Sequence, residues 1–151
     1  MNGPVPTEFL QSCRSYCLAT STGITKIQSE TLSHTLENQP GFDLIEQVPT
    51  TWDETRVLSA KVGDYIVLAR RKGSDWYIGA MTDWTPRTLD VPLNFLPAGS
   101  YQAEIWSDTP ETEKNPNILV KDQRTVAAQD RIQAKLAAGG GWVMHIKSAD
   151  R

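Results

Sequence analysis

The residues best suited to chemistry in this 151-residue sequence are the carboxylates Glu46, Asp53 and Glu54, two of them inside the block Val48-Pro49-Thr50-Thr51-Trp52-Asp53-Glu54-Thr55. Cleavage of a glycosidic bond uses two carboxyl groups that face each other across it, at a separation that sets the stereochemical outcome. Adjacent side chains diverge in either regular structure, so Asp53 and Glu54 cannot flank one bond as a pair. Their carboxylates are expected to order a connector by accepting hydrogen bonds from the backbone or from Arg56. No catalytic residue is assigned on this basis.

Aromatic side chains form the second set. Trp52, Trp76, Tyr77, Trp84, Trp106 and Trp142 are many large rings for a chain of this size, and the C–H faces of sugars stack on exposed rings of this kind. At strand positions such rings more commonly fill a core, because each buries a large area. Trp76, Trp106 and Trp142 are therefore expected inside. Trp84 stands in the polar loop Thr82-Asp83-Trp84-Thr85-Pro86-Arg87 and is the best candidate for an exposed contact. Trp52, Asp53, Glu54 and Trp84 are the candidate substrate contacts.

Three further groups carry little chemistry. Gly139-Gly140-Gly141 lacks the following helix and the Lys-Ser/Thr pair of a phosphate loop, and reads as a turn before the last strand. No Gly-x-Ser-x-Gly elbow places a nucleophile near His145, which reads as solvent-facing or as a core residue with its polar atoms satisfied. Cys13 and Cys17 are the only cysteines, and a structural zinc site needs about four Cys or His ligands. They read as free thiols, since one helical turn rarely gives disulfide geometry; no metal site is expected.

The elements that would position these groups are mostly strands. Residues 1–40 are rich in Ser, Thr, Gln and Asn and read as an irregular or partly helical extension, with a weak amphipathic pattern over 24–37. Residues 41–55 read as a connector, whose Phe42, Leu44, Ile45 and Val48 suggest a helical turn or two ending before Pro49. From residue 56 to 148 the chain reads as an all-β antiparallel sandwich of about seven to eight strands, with turn signals every 8–14 residues. Strands are expected over 56–62, 64–71 and 76–81; along the alternation Leu89, Val91, Leu93 and Phe95, with Pro92 forcing an edge or a bulge; over 101–106; as two short pieces at 118–121 and 125–127; at 132–136; and at 142–146.

Bulk properties remove whole classes of partner. The formal charge is −3 with Lys and Arg scattered, so neither nucleic acid nor an anionic membrane finds an electrostatic footprint. No apolar run approaches the roughly 18–20 residues that span a bilayer, and the chain reads as soluble. Met1–Pro6 lack the basic and apolar regions of a signal peptide, so an export signal, if the protein has one, is expected on sequence beyond this chain.

Phe42-Asp43-Leu44-Ile45, the Val48–Thr55 block, Asp64–Gly73, Asp75–Thr82, Tyr101–Ile105 and Gly139–Trp142 together resemble the C-terminal region of glycoside hydrolase family 97, a family of α-glucosidases and α-galactosidases. The resemblance covers about residues 40–147. It implies a parent enzyme with an N-terminal β-super-sandwich, a central (β/α)8 barrel and a C-terminal β-sandwich, the catalytic carboxylates and calcium ligands lying in the first two parts. By this analogy Trp52-Asp53-Glu54 sits where the last barrel helix hands over to the sandwich. The chain is then expected to be a non-catalytic accessory domain that packs on the missing barrel, with no cofactor of its own. Such a domain would expose an apolar patch able to drive self-association. The alternative is a module that binds α-glucans through Trp84. An exported bacterial parent would place it in the periplasm or outside the cell.

Overall fold

The computed structural model describes residues 42–109, 111 and 118–148. The amphipathic reading of 24–37, the extension 1–40 and both cysteines lie outside them. A short helix, α1 (Phe42–Gln47), precedes eight strands: β1 (Glu54–Lys61), β2 (Tyr65–Lys72), β3 (Asp75–Thr82), β4 (Arg87–Pro92), β5 (Ser100–Ser107), β6 (Val120–Ala127), β7 (Arg131–Leu136) and β8 (Gly141–Ser148). Every pairing is antiparallel. The fold is the all-β sandwich expected, with very unequal layers: six strands in the order β1-β2-β3-β8-β5-β6 against the pair β4-β7.

Strand alternation divides the large sheet into two faces. Val67, Trp76, Ile78, Ala80, Ile105, Trp142, Met144 and Ile146 point toward β4 and β7, where Val91, Ile132, Ala134 and Leu136 meet them in the main core. Trp76 lies against Phe95 with ring centroids 4.7 Å apart. Each large apolar side chain buried there stabilises the fold by about 1.5–3 kcal/mol. The outer face carries the intervening residues, and on it Tyr77, Trp106 and Val143 form a second cluster with Leu44, and with Val48, Trp52 and Leu119 packed at its margin. That second cluster is what fastens the connector to the sheet.

Local chemistry explains the element ends. Val48 N donates to Leu44 O at 3.1 Å, and Pro49 disfavours a further helical residue at 48. Between β2 and β3 the chain reverses at Gly73, whose φ of 59° lies in the left-handed region that glycine enters without a Cβ clash.

Two strand expectations are corrected. Residues 118–127 do not hold two short strands: β6 runs unbroken from Val120 to Ala127, paired residue by residue with β5. Its Asp122, Gln123 and Arg124 are exposed at the edge of the sheet, where polar residues are compatible with pairing on one side only. The alternation through Phe95 also overshoots, because β4 ends at Pro92. Leu93–Leu96 close a turn in which Leu96 N donates to Leu93 O at 2.9 Å, while both leucines stay buried. Pro92, which lacks an N–H, ends a strand of the two-stranded layer opposite Arg131.

Candidate functional site

Trp52, Asp53 and Glu54 form the last stretch of the connector, and each points to a different partner. Asp53 N donates to Arg71 O at 2.9 Å; its carboxylate accepts from Gly73 N at 2.7 Å and from Lys72 Nζ at 3.2 Å. Glu54 accepts from Arg56 Nε at 2.5 Å and Arg71 Nε at 3.2 Å. The Gly73 amide and Lys72 hold the Asp53 carboxyl below its ordinary range, and Arg56 with Arg71 does the same for Glu54. Both acids are therefore firmly ionised and occupied by this domain's own donors, in keeping with an ordering role. The Trp52 ring meets Tyr77 edge-on, centroids 5.3 Å apart and planes at 70°, with the Arg70 guanidinium 5.6 Å from its centroid.

Trp84 stands apart. Asp53 is bonded at the β2–β3 turn, whereas Trp84 follows the other end of β3, a separation along the strand of roughly 27 Å at about 3.3 Å per residue. The four sequence candidates thus do not converge on one site. Trp84 is 74% exposed, yet its loop is fixed: Asp83 Oδ1 accepts from Thr85 N at 2.8 Å and from Arg87, and Gly139 N donates to Asp83 O at 2.7 Å. Arg87 also donates to Asp64 O at 2.9 Å. Arg87 holds the Asp83 carboxyl down at about 2.

Two open depressions lie beside these loops. One, of about 370 Å³, is bordered by Arg87, Thr88, Asp108, Thr109, Lys135 and Leu136. The other, of about 390 Å³, lies among Ala60, Val62, Tyr65, Ile66 and Met81. Neither presents a pair of free carboxylates. Asp108 Oδ2 accepts from Gly141 N at 3.0 Å; Asp64 pairs with Lys61 at 2.6 Å and Asp83 with Arg87. Among the described residues no group of three or more His, Cys, Asp and Glu could hold a metal ion, and no helix is long and apolar enough to cross a membrane.

Trp76, Trp106 and Trp142 are buried as expected. His145 departs from expectation. It is 2% exposed, its ring lies on Tyr77 at 4.1 Å and 14°, and neither ring nitrogen has a hydrogen-bond partner. It is neither solvent-facing nor hydrogen-bonded: Tyr77 covers one side of its ring, Glu104 across the ladder is bonded to Lys147 and Gln123, and the Asp75 carboxylate approaches only to 3.5 Å. The cue available in sequence was position alone: His145 and Tyr77 both fall on the outward parity of their strands.

An unequal antiparallel sandwich with a connector packed on its outer face, its carboxylates near the candidate contacts engaged in ion pairs or turns, defines an all-β class of domain. The comparisons give that class a family. A model described as "Glycosyl-hydrolase 97 C-terminal, oligomerisation" matches residues 51–147. A retaining α-galactosidase of Bacteroides thetaiotaomicron is 35% identical over 118 residues, 78% of this chain and 18% of that protein. A probable retaining α-galactosidase of Streptomyces bingchenggensis is 34% identical over 98 residues, 65% of this chain and 14% of that one. The solved structure of a glycoside hydrolase family 97 enzyme from Pseudoalteromonas sp. strain K8 in complex with acarbose superposes with a TM-score of 0.71 at 37% identity, covering 76% of this chain and 19% of the other. The chain belongs to glycoside hydrolase family 97, as its C-terminal region, and spans less than a fifth of the length of these relatives.

Proposed function

We propose that this chain acts as the non-catalytic C-terminal domain of a family 97 hydrolase of α-galactosides or α-glucosides, stabilising the catalytic barrel by packing against it. The names of both relatives favour α-galactosides. The observation that carries the reading is the connector seam: Leu44, Val48 and Trp52 seal the outer face over Tyr77, Trp106 and Val143, so polypeptide arriving from upstream is already bound to the domain before β1 begins. In this reading calcium belongs to the catalytic portion, and chelation leaves the melting temperature of this chain unchanged.

The description of the matching family model supports a role in association of copies as well. Val57, Val62, Trp84, Ile118 and Val120 are the large apolar side chains most open to solvent among the described residues, and exposed apolar surface of this kind favours protein contact. The test replaces the matching segment of the Bacteroides relative with residues 42–148 of this chain. The chimera is expected to keep turnover of an aryl α-galactoside and its oligomeric state, while this chain alone shows no turnover. Activity of the isolated chain would overturn the assignment.

A second reading rests on Trp84: a rigidly mounted, exposed indole is suited to stacking against a sugar. Calorimetry with maltooligosaccharides and α-galactosides against the chain and its Trp84→Ala variant decides it. No heat with either glycan removes the reading.

A further inference from the structure

We propose that His145 is a proton-operated catch for the connector: neutral, it stacks against Tyr77 beside the seam and lets residues 43–52 stay docked on the outer face, whereas protonated it drives that segment off the sheet. This regulation is independent of the parent's substrate.

The geometry is a short relay of rings. His145 lies flat on Tyr77, Tyr77 receives the edge of Trp52, and the Tyr77 hydroxyl donates to Gln47 O at 3.4 Å. Tyr77 is thus the shared surface between the buried imidazole and two points of the connector. The imidazole is enclosed at 2% exposure, and both of its nitrogens lack partners. A neutral ring tolerates that environment at modest expense. An imidazolium has two N–H donors and a charge, and with only the Asp75 carboxylate near Nε2 and no partner at Nδ1 its burial costs several times as much.

The surrounding charges do not rescue the cation. On β3, Asp75 stands 3.5 Å from Nε2. On β5, Glu104 lies directly across the ladder, but it is bonded to Lys147 at 3.2 Å and to Gln123 at 2.9 Å. Lys147, two residues along β8, adds a like charge, and Arg70 on β2 lies in register with Tyr77 on the same face. On α1, Asp43 is held by Lys121 at 2.6 Å. Burial foremost, then Lys147, keeps the proton off His145 despite Asp75 and Glu104. Relief comes from water, and because Tyr77 bears on the imidazole, on Trp52 and on Gln47 O, the connector is the segment proposed to move.

The sign follows from linkage. The docked state prefers neutral His145, so the contribution to docking is complete above the ordinary histidine value and is lost as pH falls below it. With an undocked histidine of ordinary pKa near 6.5, docking weakens by at most about 30-fold at pH 5.

Amide hydrogen exchange on the full chain, corrected for intrinsic rates, tests this at pH 7.5 and 5. The Val48 and Asp53 amides, which bond Leu44 O and Arg71 O, are expected to lose about 3- to 30-fold in protection at the lower pH, while β3 amides hold. In His145→Phe, which keeps the ring on Tyr77, the loss should vanish. An equal loss in that variant, or none in the wild type, overturns the proposal. Should His145→Phe fail to fold, NMR titration of the wild-type imidazole decides. A midpoint below the ordinary value, tracked by connector resonances, supports the catch; one at or above it, or a connector that does not follow, refutes it.

Discussion

Asp108 and Gly140 share one volume. The Asp108 carboxylate enters the β7–β8 turn and accepts from Gly141 N at 3.0 Å, and a Cβ placed on Gly140 would overlap Asp108 Oδ2 while standing 2.9 Å and 3.0 Å from Ala137 O and N. The absence of a side chain at residue 140 is therefore what lets an acid from the end of β5 lock the turn that feeds the central strand β8.

Gly140→Ala is accordingly expected to destabilise the domain by about 2–3 kcal/mol, within the range of overpacked interiors, because the obstructing atoms are backbone and a constrained carboxylate. Urea denaturation measures it. Gly140→Ala with unchanged stability would mean that the turn relaxes freely and that Asp108 is not its lock.

Acid should expose the Asp83–Arg87 pair. Asp83 is held at about 2, first by the Arg87 hydrogen bond and then by the Thr85 amide, against a usual 3.8. A depressed carboxylate contributes stability that is complete above the unfolded value and disappears as pH falls from about 4 to 2. Melting temperature followed over that window should fall less steeply in Asp83→Asn than in the wild type. Parallel curves would show that the pair is fully screened by solvent.

The parts of this structure legible in the sequence were those with a period or a named turn residue. The alternation Ile132, Ala134, Leu136 reports one buried face of β7, and it is buried there. The break at Lys72-Gly73-Ser74-Asp75 places the hairpin because the left-handed turn position demands glycine. β6 does not announce itself as one strand, since an edge strand with one paired side has no continuous apolar face. The Arg87 network and the Asp108 lock were invisible for a different reason. Arg87–Asp64 and the Asp108 lock join residues far apart in sequence, and the Asp83–Arg87 pair, though four residues apart, forms across a loop where no helical spacing rule applies. Asp53 and Glu54 could be read as divergent from adjacency alone, and Arg56 as a donor to them, as it is to Glu54, whereas Gly73 and Arg71 become partners only because of where the β2–β3 turn lands.

Trp52 separates packing from polarity at the seam. Its ring meets Tyr77, yet its Nε1 is buried without a partner, so the side chain contributes area and carries an unsatisfied donor. Trp52→Ala should cost about 2–4 kcal/mol through lost ring contact. Trp52→Phe should cost less than about 1 kcal/mol, since it removes the orphaned N–H along with part of the ring. Equal losses in denaturant midpoint for the two variants would place the value of Trp52 in its indole nitrogen and contradict this division.

At the other end of the pH scale, Tyr77 should resist ionisation. Burial, with Asp75 adding to it, pushes its phenol from 10.0 up to about 12. A raised pKa favours the neutral form in the folded state, so the associated stability is complete below about pH 10 and is lost as pH rises toward 12. The phenolate would sit against Trp52 and the Gln47 carbonyl, which turns from acceptor to repelling neighbour once the hydroxyl proton is gone. In Tyr77→Phe the hydrogen bond to Gln47 O is absent at all pH values, so the variant should be slightly less stable than the wild type near neutrality. Its alkaline unfolding should then begin at higher pH than that of the wild type. Crossing of the two stability curves above pH 10 is the expected signature; curves that stay parallel would show that Tyr77 ionises without strain and that the connector lifts before the phenol does.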